Sequence, residues 1–382
     1  TLVQVAPNGQ DFSPAGQLFY YHPAVSVLSL SPPEGPVTGG TYVVIEGLNF
    51  YSAGALRCRF GSKTVRPFAI TATRVTCVSP PSDSVGTVTV EVANNGVDFN
   101  SSGAVFRYTP VPFVAKAIPS VGLLDGGLRV TVEGTAFVGS VVRSLICIHL
   151  PVGANFTDSS ALVCRFGTLF TTGVFLNSTH VECTTPSVAA PTVLPLSVST
   201  NGQDFSPSAV NFTFARPAVR AVHPAHGPMT GFSVELTGEG FAAAEDALCR
   251  WDTAEGIVDV AATVLNDTQL LCAVPPFMAP GSESFAAPGG ISGGDASKAS
   301  YLRLSLNGGR EFAFTGTFVV LQPPVRLSRL RPSVGTVRGG TRVTVEGANF
   351  FTGLDLSCFF GDIRVPALYP STTSLVCVAP PA

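Results

Sequence analysis

Charged residues are scarce in this sequence. Lys, Arg, Asp and Glu together make up 12% of its 382 residues, and 22 basic residues against 25 acidic ones leave a formal net charge of -3. Such a chain has no overall positive field with which to hold a polyanion. We therefore predict that nucleic acid is not a partner of this protein.

Long apolar runs are also missing. No run reaches about 18 residues, the length that an apolar helix needs to cross a bilayer. We predict that this segment makes no membrane contact. The sequence has neither an initiator Met nor a charged stretch followed by an apolar leader. Because its first residues match the ends of later repeats, we expect it to be part of a longer array.

Histidines are few and catalytic motifs are missing. Of the five His residues only His223 and His226 lie close together, flanking Pro224 at a predicted turn. No G-x-S-x-G, H-E-x-x-H or phosphate-loop motif occurs. We predict a protein that is not an enzyme, with no catalytic, cofactor-binding or metal-binding residues.

Gly, Pro and apolar residues are abundant: 39 Gly, 31 Pro and a hydrophobic fraction of 45%. This composition is typical of short strands separated by turns and disfavours long helices. The stretch "PSVGLLDGGLRVTVEGTAF", which begins at Pro119, returns with small changes at Pro32, Pro224 and Pro332. Intervals of 87, 105 and 108 residues are the size of a domain rather than of a solenoid repeat.

Short β-branched runs such as "TYVVIEG" and "TRVTVEG" follow the Gly-Gly turn, and they predict strands with one buried face. Later in each copy an Asn-Gly pair separates two further runs, at Asn95, Asn201 and Asn307. Asn-Gly supplies the two positive-φ residues of a tight hairpin, which we predict at these places. Asn8 begins the same hairpin in a truncated earlier copy, and the last copy stops before reaching its own.

Two columns of side chains recur across the copies. An aromatic residue two positions after the first Cys lies on the same strand face as that Cys, and we interpret this column as core: Phe60, Phe166, Trp251 and Phe360. A second column contains Glu46, Glu133 and Glu346. A catalytic group is rarely copied into every domain, so we interpret these Glu residues as structural hydrogen-bonding groups.

Eight of the nine Cys residues fall into one pair per copy, and we predict one disulfide for each pair: Cys58 with Cys77, Cys164 with Cys183, Cys249 with Cys272, and Cys358 with Cys377. Zinc is the alternative, but no C-x-x-C pair or Cys/His cluster accompanies these residues. Disulfides indicate an oxidising compartment. For the unpaired Cys147 we favour a free buried thiol over an intermolecular bridge.

The pattern P-x-x-G-x-x-x-G-G-x-x-V-x-V-E-G-x-x-F, followed by C-x-F-G, C-x-x-P-P and N-G-x-x-F, resembles the IPT/TIG family of immunoglobulin-like domains. The resemblance implies an all-β fold of tandem immunoglobulin-like β-sandwiches. The third copy departs from the pattern at Phe232 and Thr237, which puts its turn geometry in question but not its fold.

We predict five segments: residues 1–22, the final hairpin of a truncated domain; 23–109, repeat one; 110–216, repeat two, with an insertion at about 138–157; 217–322, repeat three, with a loop at about 278–300; and 323–382, repeat four, truncated before its final hairpin. Short Pro-containing junctions join them. Because proline restricts φ, we expect the repeats to form a semi-rigid rod.

Five N-x-S/T sequons are present, and we predict N-linked glycans at several of them: Asn100, Asn155, Asn177, Asn211 and Asn266. IPT domains also occur in transcription factors, but disulfides together with sequons favour secretion. We expect an extracellular or cell-surface location, with the ciliary surface as one candidate.

Two functions fit these features. In the first, the array is a structural spacer and protein-contact surface in an extracellular or ciliary-surface fibre or coat, with copies of itself as partners. In the second, implied by the family's occurrence in plexin-like ectodomains, it is the stalk of a ligand-binding or adhesion receptor. The low charge and the Pro-rich junctions favour the first.

Overall fold

The computed structural model of the chain describes residues 1–51, 54–100, 103–137, 162–253, 256–277, 298–323, 325–350 and 356–382. Every regular element in these ranges is a β-strand, which confirms the predicted all-β class. No helix in the described part is long and apolar enough to cross a membrane. The predicted insertion at 138–157, with Cys147 and Asn155, lies outside the described residues, as does most of the predicted loop at 278–300.

The chain forms two compact units. Unit 1 consists of Thr1–Ser120, Asp125–Ser187 and Val193–Phe212. Unit 2 consists of Val121–Leu124, Val188–Thr192 and Thr213–Ala382. Three short segments of repeat two therefore belong to unit 2: Val121–Leu124, Val188–Thr192 and its last residues from Thr213.

Residues 1–22 form one antiparallel pair, β1 (Leu2–Val3) with β2 (Gln17–Leu18). Repeat one contains β3 (Ser26–Ser31), β4 (Glu34–Pro36), β5 (Tyr42–Leu48), β6 (Arg57–Phe60), β7 (Lys63–Val65), β8 (Pro67–Ile70), β9 (Arg74–Val78), β10 (Gly86–Ala93) and β11 (Val105–Thr109). They form two sheets, with strand orders β3-β5-β9-β8 and β4-β11-β10-β6-β7. Two mainly antiparallel sheets are typical of an immunoglobulin-like sandwich.

Repeat two contains β12 (Phe113–Ile118), β13 (Val121–Leu123), β14 (Arg129–Thr135), β15 (Val163–Phe166), β16 (Leu169–Asn177), β17 (His180–Thr184), β18 (Thr192–Ser199) and β19 (Val210–Ala215). Their order is β12-β14-β17-β16-β15-β18-β19-β13. The first half of β16 pairs with β15 and its second half with β17, so this one strand connects the two layers.

Repeat three contains β20 (Ala218–His223), β21 (His226–Pro228), β22 (Phe232–Glu239), β23 (Leu248–Thr253), β24 (Gly256–Asn266), β25 (Gln269–Val274), β26 (Lys298–Ser305) and β27 (Ala313–Gln322). Their order, β20-β22-β25-β24-β23-β26-β27-β21, matches that of repeat two strand for strand. The departures at Phe232 and Thr237 thus leave the topology unchanged. Repeat four contains β28 (Arg326–Arg331), β29 (Arg342–Ala348), β30 (Ser357–Phe360), β31 (Ile363–Ser371) and β32 (Ser374–Val378).

The core lies between the two layers of each sandwich. In β5 the buried Val43 and Ile45 alternate with the exposed Tyr42, the period-two pattern of a strand with one buried face. The aromatic column that the sequence predicts as core is buried at Phe60, Phe166 and Trp251 and half-buried at Phe360. The indole N–H of Trp251 donates to the carbonyl of Ala273 at 2.9 Å, so its one polar atom is satisfied.

Four disulfides join the two layers: Cys58–Cys77, Cys164–Cys183, Cys249–Cys272 and Cys358–Cys377. They are the pairs that the spacing predicts. Their Cα atoms lie 6.0 to 6.5 Å apart. In repeat one the bond joins Cys58 in β6, a strand of one layer, to Cys77 in β9, a strand of the other.

The tight hairpin predicted at each Asn-Gly pair is wrong. Ten residues separate the end of β18 at Ser199 from the start of β19 at Val210, which is too long for a two-residue turn at Asn201. In each Asn-Gly pair only the Gly has positive φ. The strands do pair as an antiparallel hairpin, as β10 and β11 show. The Asn instead uses its side chain to hold the following main-chain N–H groups, an Asx turn that needs no positive φ at Asn.

Candidate interface at the Asn loops

The part of the connection between the last two strands that runs from the residue before the Asn to the next Phe is called here the Asn loop: loop one is 94–99, loop two 200–205 and loop three 306–312. In loop two, Asn201 Oδ1 accepts from the main-chain N–H of Gln203 at 3.0 Å and of Asp204 at 2.9 Å. Its Nδ2 donates to the Asp204 carboxylate at 2.7 Å. Three hydrogen bonds between Asn201 and the residues up to Asp204 therefore fix the shape of the loop.

Loops one and three have similar internal bonds, although the N–H of Gly309 in loop three donates to Ser305 Oγ at 2.9 Å. In loop one, Asn95 Oδ1 accepts from the N–H of Val97 and of Asp98, and Asn95 Nδ2 donates to Asp98 Oδ2 at 2.7 Å. Loop three has one more residue, so Glu311 replaces the aspartate: Asn307 Oδ1 accepts its N–H at 3.1 Å, and Asn307 Nδ2 donates to its carboxylate at 3.3 Å. The longer glutamate side chain compensates for the longer loop.

The Phe that ends each loop lies under an arginine of its own sandwich. The guanidinium carbons of Arg59, Arg165 and Arg250 are 4.0, 4.3 and 3.6 Å from the ring centres of Phe99, Phe205 and Phe312. Each arginine directly follows the first Cys of its repeat. Cation–π contact of this kind holds the loop against the sheet. The sequence analysis missed this column, although C-R-F or C-R-W and N-G-x-x-F recur together in the sequence.

Loop two makes a second set of contacts, with residues 34–42 of repeat one, inside unit 1. The second hydrogen of Asn201 Nδ2 is directed to the carbonyl oxygen of Glu34 at 3.1 Å. Thr41 Oγ1 donates to Asp204 Oδ2 at 2.6 Å. Asn201 is 2% exposed and Thr41 is fully buried, so these bonds are shielded from water.

Gln203 extends the contact along β5. Its Oε1 accepts from the N–H of Tyr42 at 3.2 Å, and its Nε2 donates to the carbonyl of Tyr42 at 3.1 Å. The amide thus pairs with the main chain as a neighbouring strand would. Such bonds are insensitive to the identity of residue 42.

The predicted Gly-Gly turn positions this contact segment. Gly39 has φ +69°, and a Cβ there would lie 2.6 Å from main-chain atoms of Pro80 and Pro81. Gly40 donates from its N–H to the carbonyl of Ser79 at 2.9 Å. Only glycine permits this close approach, which brings Thr41 to the edge where loop two lies.

Loop three makes equivalent contacts inside unit 2, with the segment Val121–Leu124. Asn307 Nδ2 donates to the carbonyl oxygen of Val121 at 3.2 Å, and the N–H of Leu123 donates to Glu311 Oε2 at 2.9 Å. Asn307 is 5% exposed. Glu34 and Val121 each lie two residues after the Pro that begins the repeated motif, so the acceptor carbonyl has the same position in both repeats. Residues 34–42 and Val121–Leu124 are called acceptor segments below.

Loop one differs from the other two in its surroundings. Asn95 and Asp98 are exposed, and Val97, at the position of Gln203, is 77% exposed. Within the described residues, the hydrogen bonds of Asn95 all stay inside its own loop. Loop one therefore keeps its internal hydrogen bonds without contacting an acceptor segment.

Glu34 adds a titratable group to the first acceptor segment. Its carboxyl is buried, and Oε1 has no hydrogen-bond partner among the described residues. Arg107 Nη1 lies 3.7 Å from Oε2. Burial raises the pKa of Glu34, and the Arg107 guanidinium opposes the rise.

The other predicted residues occupy structural positions. Glu46 pairs with Arg74 at 2.8 Å, Glu346 with Arg331 at 3.2 Å, and Glu133 lies 3.9 Å from His180, as expected for structural groups. In the described part of the chain, no group of three or more His, Cys, Asp or Glu side chains is placed to hold a metal ion.

Three complete sequons lie in the described ranges, and of the sequon at Asn100 only the Asn is described. Asn177 and Asn266 are exposed at the same turn of repeats two and three, and Asn211 is exposed in β19. In both turns the Asn Oδ1 accepts from the hydroxyl of its sequon Thr, Thr179 or Thr268, at 2.8 Å. Asn100 instead donates its amide to the carbonyl of Val25.

Comparison with known sequences identifies the repeated element. The sequence model described as "IPT/TIG domain" matches residues 26–108, 112–214 and 324–382, which together are more than half of the chain. Repeat three is not among the matched ranges, although its strand order equals that of repeat two.

Curated relatives are longer proteins. Fibrocystin-L of Mus musculus is 24% identical over 365 residues, covering 95% of this chain but 8% of its own length. Plexin-A2 of Mus musculus is 34% identical over 110 residues, which are 28% of this chain and 6% of that protein. Among solved structures, the full extracellular region of plexin A4 aligns with 94% of this chain and 29% of its own, at 17% identity and a TM-score of 0.39.

Proposed function

Because the chain belongs to the IPT/TIG domain family, we propose that it is a non-catalytic structural and protein-contact segment of a large secreted or cell-surface protein. Its tandem sandwiches act as a spacer, and Asn loops two and three fix the spacing. The observation that carries this proposal is the burial of Asn201 and Asn307 against acceptor carbonyls two residues after a proline.

The contacts suit a spacing role because they are main-chain and charge-assisted hydrogen bonds removed from water. Bonds to a charged partner, such as Thr41 to Asp204, contribute about 1.5 to 3 kcal/mol each in favourable cases. A linker without such contacts would let the sandwiches reorient. Within unit 1, loop two therefore holds repeat two against repeat one in a single arrangement.

An extracellular location follows from the chemistry of the proposal. Four disulfides in one chain persist in an oxidising compartment and are rare in the cytosol. We place the protein in an extracellular or ciliary-surface fibre or coat, with copies of itself or other proteins as partners.

A receptor stalk is the second candidate, because Plexin-A2 shares 34% identity over 110 residues with this chain. The two differ in how much surface they bury. A fibre subunit should bury more than about 1,000 Å² against its copies, whereas a stalk should remain mostly solvated. Electron microscopy of the native protein distinguishes them: regular polymers support the fibre, and isolated strings support the receptor.

The spacing role itself is tested by X-ray scattering from the chain carrying Asn201→Ala. We expect the distribution of interatomic distances to broaden, because repeat two is no longer held by loop two. Asn95→Ala is the matched control, since it removes the same Asx turn from a loop that makes no such contact. If Asn201→Ala leaves the scattering curve identical to that of wild type, loop two does not fix the spacing.

N-linked glycans complete the proposal. Asn177 and Asn266 are the best acceptors, because both are exposed in turns and hydrogen-bonded to their sequon Thr. Asn100 is the poorest, since its amide donates to Val25. Peptide mass spectrometry after enzymatic deglycosylation in heavy-oxygen water should mark Asn177 and Asn266; absence of the mark at both would contradict this assignment.

A further inference from the structure

We infer that five arginines of repeat four bind a sulfated polysaccharide. They are called here the arginine strip: Arg326, Arg329, Arg331, Arg338 and Arg342. The inference goes beyond the proposed function, from which it takes only the extracellular location. It does not involve the Asn loops.

The strip is a property of repeat four and not of the fold. Residues 326–342 contain five Arg and no Asp or Glu. The corresponding stretches of repeats one, two and three, residues 26–42, 113–129 and 218–233, contain none, two and one Lys or Arg. All four stretches form the same pair of neighbouring strands, so the sandwich does not require these arginines. Because the chain as a whole has no positive field, the attraction they exert is local.

Strand register places arginines of β28 and β29 on one face of their sheet. Arg329 lies opposite Glu346, and Arg331 lies opposite Thr344. Along β29 these two partners alternate with buried valines, so they lie on the solvent face, as does Arg342 two residues earlier. The guanidinium groups of two neighbouring strands therefore share one exposed surface.

The strip also differs from other arginines in its ion pairs. Seven arginines of repeats one to three pair with an acidic side chain: Arg59, Arg74, Arg107, Arg129, Arg220, Arg250 and Arg303. In the strip, Arg331 pairs with Glu346 at 3.2 Å. Arg329, Arg338 and Arg342 have no acidic partner among the described residues. Their positive charge is therefore available to a ligand.

Exposure of these positions is common to the repeats. The position of Arg329 is exposed in repeats one to three, where it is held by Ser29, Lys116 and Ala221. The position of Arg342 is exposed there as well, where it is held by Tyr42, Arg129 and Ser233. The strip thus lies on a face that stays open to solvent in repeats with more strands than repeat four.

The spacing of the charges suits a polyanion. Residues two apart on a strand are about 7 Å apart, which is within the Debye length of about 8 Å at physiological ionic strength, so the fields of Arg329 and Arg331 add. A guanidinium stays charged and binds the oxygens of an anionic group through two parallel hydrogen bonds. A linear polyanion that lies along the strip releases its counterions, which favours binding.

The composition of the stretch favours a polysaccharide over other polyanions. Residues 326–342 contain no aromatic residue. Aromatic side chains are enriched in the centres of protein interfaces, and they are the groups on which the bases of single-stranded nucleic acid stack. A sulfated polysaccharide needs no such group, and its dense sulfates match a row of arginines. It is also a polymer of the extracellular space, where we place this protein.

Binding of the 382-residue chain to immobilised heparin, a sulfated polysaccharide, tests the inference by surface plasmon resonance. We expect the triple variant Arg329→Gln, Arg338→Gln, Arg342→Gln to bind at least about tenfold more weakly than wild type. The matched control is Arg66→Gln, Arg129→Gln, Arg216→Gln, which removes the same charge from exposed arginines of other repeats and should bind like wild type. Equal weakening by both variants, or no binding by wild type, overturns the inference.

Two measurements on wild type do not depend on the folding of a variant. Binding should weaken with salt, with a slope of about 0.7 in the logarithm of affinity per arginine contact. Heparin stripped of its sulfates and poly-glutamate should each bind at least about tenfold more weakly than heparin. Equal binding by either polymer overturns the assignment to a sulfated polysaccharide. All these failures leave the spacing role intact, because Asn201→Ala tests that role in unit 1, which does not contain the strip.

Discussion

Asn loops one and two have the same internal bonds but different surroundings. Each has an Asn that binds two main-chain N–H groups and an Asp, and each ends in a Phe beneath an Arg. Asn201 is 2% exposed, whereas Asn95 is exposed. The shape of the loop therefore depends on its own repeat, and only its burial depends on a neighbour.

The stabilising energy of the Asn loops lies in the buried hydrogen bonds of the docked loops. A buried amide whose partners are removed leaves those partners unpaired, which is costly, whereas water replaces the bonds of an exposed amide. The same substitution in the two loops should consequently have unequal effects.

Asn201→Ala should lower the free energy of unfolding by about 1 to 3 kcal/mol, because the carbonyl of Glu34 and two loop N–H groups lose their partner in a buried site. Asn95→Ala should cost less than about 1 kcal/mol, since water reaches its loop. Urea unfolding of the two variants, monitored by far-UV circular dichroism, measures both losses. Equal losses for the two variants would contradict the claim that burial of loop two, and not its internal bonds alone, stabilises the chain.

Asn307→Ala should behave like Asn201→Ala, with a loss of about 1 to 2 kcal/mol. The bonds of Asn307 to Val121 and Glu311 are longer, at 3.2 and 3.3 Å, so we expect the smaller value of the two docked loops. Trp251 lies in the same unit, and its fluorescence reports the unfolding of repeat three. A loss as small as that of Asn95→Ala would mean that loop three is not held by its acceptor segment.

Arg165→Met and Arg59→Met should each cost about 0.5 to 1 kcal/mol, because each removes a cation–π contact with the loop Phe. Arg59→Met also removes the ion pair with Glu91, whereas Arg165 donates to the Ser197 hydroxyl at 3.1 Å. If the cation–π contact does not depend on docking, the loss for Arg165→Met should therefore be no larger than that for Arg59→Met. Thermal unfolding of the two variants side by side provides the measurement. A clearly larger loss for Arg165→Met would show that the arginine acts through the interface.

Glu34→Gln should change the free energy of unfolding least, and the change should appear as an altered pH dependence of that free energy. Burial raises the folded-state pKa of Glu34 above its unfolded value, so folding favours the protonated carboxyl. That stabilisation is complete below the unfolded-state pKa and is lost as pH rises through the folded-state pKa. Wild type should thus lose stability across this window relative to Glu34→Gln, whose amide does not titrate.

Urea unfolding at several values between about pH 4 and pH 7 measures this window. Val121 holds the equivalent position in the second acceptor segment, so Val121→Leu is a control that should leave the pH dependence of wild type unchanged. Parallel pH profiles for wild type and Glu34→Gln would contradict the assignment.

The fold could be predicted from the sequence because its signals are local and repeated. The alternating "TYVVIEG" run predicts β5, and Phe60 and Trp251 are buried as their column indicates. The paired Cys residues are joined as their spacing predicts. Repetition made each of these signals visible several times in one chain.

The interface could not be predicted in the same way. The acceptors are main-chain carbonyls of Glu34 and Val121, two residues with no chemistry in common, so no side-chain pattern marks them. The Asn-Gly pairs suggested a tight turn because that is the commonest use of the dipeptide in short hairpins. Asp98 and Asp204, three residues after the Asn, were the overlooked signal, since a carboxylate at that spacing can hold the Asn amide.

The most direct test of the account is a double-mutant cycle between Thr41 and Asp204. Their 2.6 Å hydrogen bond joins loop two to the acceptor segment, so Thr41→Val and Asp204→Ala should be coupled by about 1 to 3 kcal/mol in the free energy of unfolding. Thr41→Val combined with Asp98→Ala, in the undocked loop, should be additive. A coupling of zero between Thr41 and Asp204 would contradict the claim that the Asn loops hold neighbouring repeats together.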